Sequence, residues 1–248
     1  MAMLTLMNSE FIKMKHSLST VLLLLLALIP IVINMSRPLM VKQNYSLFDL
    51  YFPMYNQYSL FFPLVVILLT TSIFYLEYSN GTYVDWITYG YAKWKLIVAK
   101  LSVAALLLLG MCLVNYIVMT VGLFVIIHGT YFEFFRVSVS FVLYSLLVIL
   151  INLPLGAILI NVFRNAIVTA VIGIVCMVIN AILMAAPFGY YIPTVFAYRL
   201  GLLPLSKSYF FANPNLTLTV GMSVTVIVMA ILGSAAVWQF SRRRKIEN

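Results

Sequence analysis

Charged side chains are scarce in this sequence. Asp, Glu, Lys and Arg make up 8% of the 248 residues, while apolar types make up 64%. An average soluble domain carries about 25% charged residues, and a water-soluble fold of this size could not hide so much apolar surface. The composition therefore excludes a soluble globular protein and predicts an all-α integral membrane protein.

The few charges are unevenly placed and leave six long stretches without any, at 16–36, 50–76, 101–132, 137–163, 165–198 and 208–241. A hydrocarbon core of about 30 Å is crossed by roughly 20 apolar helical residues, so each stretch can hold one transmembrane helix. We predict a single transmembrane domain over 1–248 with no soluble domain. Its predicted spans are about 17–35, 58–76, 101–127, 138–160, 166–186 and 216–239.

Ionisable residues are missing from all six predicted spans. Ion-driven transporters place such residues near the middle of the membrane, and an intramembrane enzyme needs catalytic groups at depth. The two histidines lie near span ends, and the two cysteines are not spaced as metal ligands. We therefore expect no catalytic residue, no metal site, no enzymatic activity and no ion coupling.

Basic residues outnumber acidic ones by fifteen to six, and the net charge is +9. They are scattered at the predicted membrane edges, which favours lipid headgroups rather than nucleic acid as their partner. With both termini in the cytoplasm, ten of the fifteen basic residues lie inside. The positive-inside rule favours that orientation.

Aromatic residues lie close to the predicted span ends, where amphipathic rings suit the headgroup layer. The cytoplasmic layer would hold Trp86, Trp94 and Trp238, and the outer layer would hold Tyr51, Tyr55 and Tyr58. Ahead of the first span, Asn8 to His16 begins with a capping residue and mixes apolar with basic residues, which is typical of a short interfacial helix. A frayed, positively charged N-terminus explains that segment equally well.

The predicted external segment from Pro187 to Asn215 combines four prolines with many aromatic residues. Irregular backbone at membrane depth is tolerated only against protein or a wet cavity. The segment is therefore a candidate external gate, with Pro187, Tyr190, Tyr191 and Pro193 as its residues. An ordinary apolar loop lying on the outer leaflet is the competing interpretation.

The cytoplasmic connection between the second and third spans has the signature of a short helix. Gly81 breaks the second span, Thr82 and Asp85 have capping-box spacing, and Gly90 supplies a C-terminal stop. Between these limits, three residues at i, i+3 and i+4 give the helix an aromatic and apolar face: Tyr83, Trp86 and Ile87. Such a face either enters a groove in a partner or rests among lipid headgroups.

Several residues around this connection form a recognisable pattern, namely Glu77, Gly81, Thr82, Lys93, Lys95 and Lys100. The pattern resembles the permease subunits of type-2 ABC exporters. The interfacial helix before the first span, the six-span plan and the basic C-terminal tail add to the resemblance, which extends over the whole chain.

The resemblance implies specific site residues and partners. In that family the loop after the second span forms a coupling helix that enters a cleft of a separate ATPase subunit. The docking residues here would be Thr82, Tyr83, Val84, Asp85, Trp86, Ile87, Thr88 and Tyr89. Glu77 matches the family's acidic position at the inner end of the second span, where it can pair with a nearby lysine. ATP and magnesium would bind the partner ATPase and not this chain.

Within that family, the small size and the segment "YIPTVFAYRL" look most like permeases that move amphipathic peptides, including lantibiotic-immunity and toxic-peptide exporters. The resemblance implies a bacterial plasma-membrane protein that pairs with a second copy or a homologous permease. Its task would be secretion or self-immunity. A membrane scaffold or assembly factor without transport is the alternative, and export of a drug or other small hydrophobic molecule is a further one.

Overall fold

The computed structural model describes residues 2–15, 17–40, 45–82, 86, 90–127 and 129–242. These residues form α-helices joined by short turns and 3-10 turns, and none of them lies in a β-strand. The all-α membrane fold predicted from the sequence is confirmed. The basic residues that follow Arg242 lie outside the described part of the chain.

The helices are, in chain order, α1 (Ala2–Met14), α2 (Leu18–Met40), α3 (Leu47–Ser79), α4 (Lys93–Ile126), α5 (Tyr131–Phe163), α6 (Ala166–Leu183), α7 (Pro193–Leu202) and α8 (Pro214–Arg242). Six of them are long and apolar enough to cross a membrane, over Leu18–Pro38, Leu47–Ser79, Lys93–Ile126, Tyr131–Phe163, Ala166–Leu183 and Pro214–Phe240. The predicted number of spans is therefore found.

The helices α3, α4 and α5 are longer than the spans predicted for them, with 33, 34 and 33 residues. Capping boxes start two of these helices in polar sequence ahead of the apolar stretch. Ser46 and Asp49 exchange hydrogen bonds at the start of α3, and Thr130 and Glu133 do the same at the start of α5. The predicted spans began at 58 and 138, inside the charge-free stretches, whereas the capped helices begin ahead of Asp49 and Glu133.

The helix α3 lies at the centre of the bundle and packs on α2, α5 and α6. About 67% of its apolar window is buried, against 11% for α6. The close contact of α3 with α5 depends on Gly156, because a Cβ atom there would stand 3.0 Å from the carbonyl oxygen of Ile67. Small residues allow two helix backbones to approach in this way.

The N-terminal helix begins earlier than predicted. It starts at Ala2, so Asn8 lies inside α1 rather than capping it. Leu6, Glu10 and Met14 recur at intervals of four residues and are buried, which gives α1 one face that packs against the bundle. That packing extends the helix by more than a turn, and a frayed N-terminus does not describe these residues.

The three tyrosines expected in the outer headgroup layer lie instead in the core. Tyr51, Tyr55 and Tyr58 are fully buried. Their hydroxyl groups contact Ser140 Oγ (2.8 Å), the carbonyl oxygen of Tyr198 (2.8 Å) and Ser145 Oγ (3.4 Å), respectively. Each ring thus has a polar partner inside the protein and does not need the headgroups to satisfy its hydroxyl.

Candidate functional site

The bundle has two ends, which we name by the segments they carry. The loop end carries residues 80–92 together with α1 and the last turn of α8, and the far end carries residues 187–213. A two-residue turn at the loop end joins α5 to α6. In that turn Arg164 has a left-handed backbone (φ 51°), and the Asn165 side chain accepts hydrogen bonds from the first amides of α6.

The loop between α3 and α4 is bounded by two glycines with positive φ, Gly81 at 68° and Gly90 at 78°. Within it, the amide of Trp86 donates to the carbonyl oxygen of Thr82 at 2.9 Å, as in a helical turn. The other predicted docking residues lie outside the described part of the chain, namely Tyr83, Val84, Asp85, Ile87, Thr88 and Tyr89. The glycines stand where the sequence analysis placed the limits of the loop helix.

Trp86 faces the protein's own interior, whereas the sequence predicted that it would face a partner ATPase or the lipid headgroups. Only 8% of the residue is exposed. The indole ring stands edge-on to Phe240 of α8, with centroids 6.5 Å apart, and belongs to an apolar cluster with Leu6 and Phe74. Burying this large ring at the loop end stabilises more than exposing it to solvent would. Trp86 therefore fixes the loop to the bundle and is not part of its exposed surface.

Four charged residues meet beside Trp86, and we call Glu10, Lys13, Glu77 and Lys100 the charge cluster. Lys13 Nζ lies 3.0 Å from Glu10 Oε1 and 2.8 Å from Glu77 Oε1. Lys100 Nζ lies 2.8 Å from Glu10 Oε2 and 3.0 Å from Glu77 Oε1. Two ammonium groups thus bridge two carboxylates, and the cluster has no net charge.

Glu77 links the charge cluster to the loop. Its second carboxylate oxygen, Oε2, accepts a hydrogen bond from the Thr82 hydroxyl at 2.5 Å. From the sequence, Glu77 was expected at the inner end of the second span with a lysine as its partner. In the structure it contacts two lysines, Lys13 and Lys100. Charge-assisted bonds of this length are short and directional, so the first residue of the loop is held to the last turns of α3.

Lys13 is the member of the charge cluster with an exposed side chain, at 43%. Burial is the largest influence on its pKa and would lower it, but the hydrogen bond to Glu77 and the charge of Glu10 together raise the pKa above its usual 10.5. The link of Lys13 to the cluster is therefore complete below pH 10.5 and is lost only as the pH rises through that higher value.

A cavity of about 650 Å³ lies between α1 and the loop. Its exposed rim is polar and includes Thr5, Ser9, Asn80, Thr82 and Tyr91, while Glu10, Glu77 and Trp86 line its buried floor. The volume lies within the range of about 300–1,000 Å³ typical of ligand pockets. The described loop residues Thr82, Trp86 and Tyr91 thus border an indentation at the protein surface.

The far end contains the candidate gate segment, and most of it packs on protein. Gly189–Tyr191 forms a 3-10 turn, and Pro193 begins α7, where its fixed φ suits a first helical residue. The helix α7 is buried over most of its length and packs against α5 and α8. Pro187 and Tyr191 are exposed, and Tyr190 is partly exposed. An apolar loop lying on the leaflet surface does not account for this burial.

Arg199 closes the turn between α6 and α7. Its Nε and Nη2 atoms donate to the carbonyl oxygen of Met184 at 3.1 and 3.0 Å, and Nη1 donates to the carbonyl oxygen of Tyr209 at 3.3 Å. The guanidinium also lies 5.1 Å from the centre of the Phe211 ring. One side chain therefore ties three parts of the far end together.

The residues that join α1 to the site were not singled out from the sequence. Glu10 had no predicted role, and Lys13 was counted only among the basic residues at the membrane edges. Lys100 belonged to the family pattern without a predicted partner in α1, and Phe240 lay one residue beyond the predicted sixth span. The available signal was weak, because only the i, i+3 spacing of Glu10 and Lys13 indicated an ion pair. The described residues contain no group of three or more His, Cys, Asp or Glu side chains that could hold a metal ion.

These features define a class of protein. Six helices long and apolar enough to span a membrane, together with a loop fixed at one end by a buried tryptophan and a charge cluster, describe a multi-pass helical membrane protein. A family model described as ABC-2 family transporter protein matches residues 6–180. The chain belongs to this family, and it is a permease subunit of an ABC exporter that acts with a separate ATPase.

The family match includes α1 from residue 6 onward, the loop and the charge cluster, and it ends inside α6. The segment at the far end and α8 lie beyond it, so the match is shorter than the whole-chain resemblance inferred from the sequence. No curated protein matches the sequence.

Proposed function

We propose that this permease exports amphipathic, toxic or antimicrobial peptides for secretion or self-immunity. Two permease chains, identical or homologous, would form the path, and two ATPase subunits would dock on residues 82–89 at the loop end. The loop end is then cytoplasmic, with both termini on that side, and ATP with magnesium is bound by the ATPase. Binding and release of ATP would favour different arrangements of the permease pair.

The observation that supports docking at the loop is its attachment to the bundle. Trp86 is packed against α3 and α8, and Thr82 is bonded to Glu77 on α3. A connection that only joins two helices has no need for such an attachment. Because the loop is fixed at both Thr82 and Trp86, a movement imposed on it is transmitted to the membrane-spanning helices.

The burial of Trp86 also indicates which side of the loop is free to meet an ATPase. In the helix that the sequence predicts for 82–89, each residue is rotated by about 100° from the previous one. Val84 and Thr88 are two positions away from Trp86 and therefore fall on the opposite side of that helix. We place the ATPase contact on the side of Val84 and Thr88.

The peptide substrate is supported by the resemblance stated above and by the membrane-facing surface. The helices α2, α6 and α8 keep most of their apolar surface exposed in the single chain. Such surfaces suit lipid, a second permease chain or an amphipathic peptide within the bilayer.

The first experiment tests docking. The tagged chain is purified from its native cells in a mild detergent, and copurifying proteins are identified and quantified by mass spectrometry. We expect a stoichiometric ATPase with the natural chain and its loss in the Thr88→Glu variant, because a charge is placed on the proposed contact side. Ser208→Glu, at an exposed position of the far end, is the matched control and should retain the ATPase.

Repeated absence of an ATPase from the natural chain, under conditions that preserve other membrane complexes, would favour the scaffold alternative. Retention of the ATPase by the Thr88→Glu variant would contradict the contact side that we propose.

The second experiment tests the substrate. Cells that produce the permease with its ATPase are challenged with amphipathic antimicrobial peptides and, separately, with small hydrophobic dyes. We expect a higher inhibitory concentration for the peptides and no change for the dyes. Protection against the dyes alone would establish the drug-export alternative instead.

A further inference from the structure

Lys100 connects several elements at the loop end. Its side chain is only 1% exposed. The ammonium group contacts Glu10 on α1, Glu77 on α3 and the carbonyl oxygen of Ile73, the last at 3.3 Å. It also lies 5.0 Å from the centre of the Trp86 ring, within the range of a cation–π interaction. Lys100 itself belongs to α4, so one side chain joins three helices and the loop.

A buried ionic group of this kind is not required for stability. The cost of removing charges from water offsets most of their attraction, and apolar replacements of a whole buried cluster are often as stable as the original. A single replacement behaves differently, because it leaves another charge buried without its partner. We therefore expect the fold to survive apolar replacement of the whole charge cluster, and its presence calls for another explanation.

The explanation lies in the directionality of the contacts. Apolar contacts are non-directional, so packing alone would allow the loop to slide or rotate against α4. The ammonium–carboxylate contacts of Lys100, at 2.8 and 3.0 Å, fix both distance and direction. Glu77 extends the same restraint to Thr82, and the cation–π contact extends it to Trp86.

We propose that Lys100 is the positioning residue that holds the loop in a fixed relation to α1 and α4, so that these two helices move together with the loop. The proposal rests on the proposed docking of an ATPase at residues 82–89. It also gives α1 a role beyond that of a membrane-surface helix, because α1 would help to transmit movement of the loop to the membrane-spanning helices.

The test removes the charge cluster as a set. The neutral variant combines Glu10→Met, Lys13→Met, Glu77→Met and Lys100→Met, apolar side chains of similar volume, which removes two charges of each sign and leaves the net charge at +9. The comparison variant is Lys100→Arg, which keeps the cation. Both are assembled with the ATPase, and copurified ATPase, KM and kcat for ATP, and peptide export are measured separately.

We expect the neutral variant to fold, to bind the ATPase and to hydrolyse ATP with an unchanged KM. Peptide export per ATP hydrolysed should fall at least about fivefold, the lower range of coupling effects between two sites. Lys100→Arg should retain more than half of the export per ATP of the natural chain. Normal export per ATP in the neutral variant would overturn the proposal, since a merely structural cluster is replaceable.

A second measurement does not need the ATPase. In a chain whose only tryptophan is Trp86, quenching of its fluorescence by acrylamide reports how closely the loop is held. We expect acrylamide to quench Trp86 more strongly in the neutral variant than in the single-tryptophan parent chain, while the melting temperature stays the same. In Lys100→Arg the quenching should equal that of the parent chain. Equal quenching in the neutral variant and its parent would refute the positioning role. Failure of the natural chain to bind an ATPase would instead count against the proposed docking.

Discussion

Replacing Trp94 and Trp238 by Phe leaves Trp86 as the single tryptophan of the chain, and its fluorescence then tests where the loop points. The other two tryptophans provide matched single-tryptophan controls. The residue at position 86 is 8% exposed, against 51% for Trp94 and 57% for Trp238. If collisions with quenchers in water and in lipid together scale with exposed area, their combined quenching of Trp94 should be roughly six times that of Trp86, the ratio of 51% to 8%.

Two quenchers separate the three possible positions of Trp86. Acrylamide reaches side chains from water, and lipids with brominated acyl chains reach them from the bilayer. A ring packed on Phe240 and Lys100 should resist both quenchers. A ring in the headgroup layer should respond to the brominated lipids, and a ring on an exposed docking face should respond to acrylamide.

The measurement is made on the purified permease in bilayer nanodiscs, with the melting temperature of each variant recorded as a control. Weak quenching of Trp86 by both agents is the expected result. Acrylamide quenching equal to that of Trp94 would refute the inward orientation of Trp86 and return it to the docking face. Strong quenching by the brominated lipids would make it a headgroup residue.

Two further predictions concern packing away from the loop. Gly156→Val should lower the free energy of unfolding by about 1–3 kcal/mol, because the added side chain meets the backbone of Ile67. Thermal unfolding in detergent checks this prediction. Gly110→Val is the control, since a Cβ atom at Gly110 meets nothing within 4 Å. Arg199→Lys should lower the free energy of unfolding by about 1.5 kcal/mol and speed proteolysis of 187–213, because lysine cannot donate to the carbonyl oxygens of Met184 and Tyr209 at the same time. Proteolysis no faster than in the control variant Lys207→Arg would contradict the role given to Arg199.

The positions of the helices could be predicted from the sequence because they depend on a one-dimensional property. A membrane helix must satisfy its backbone within itself and needs about 20 apolar residues, so a count along the chain finds six spans without any knowledge of their packing. The limits of the loop could also be predicted, because they depend on local backbone conformation. Gly81 and Gly90 have positive φ angles, which favour glycine. The family pattern around Glu77 was equally readable.

The direction in which each side chain points was decided by the tertiary structure. Lipid tails are as apolar as a protein core, so periodicity does not distinguish a lipid-facing ring from a packed one. Tyr55 and Trp86 were therefore placed in headgroup layers or on a docking face, although both are buried. The pairing of Glu77 with a lysine was expected, but the contact of Lys100 with Glu10 was not, because these residues are ninety positions apart and meet only when α1 packs on α4.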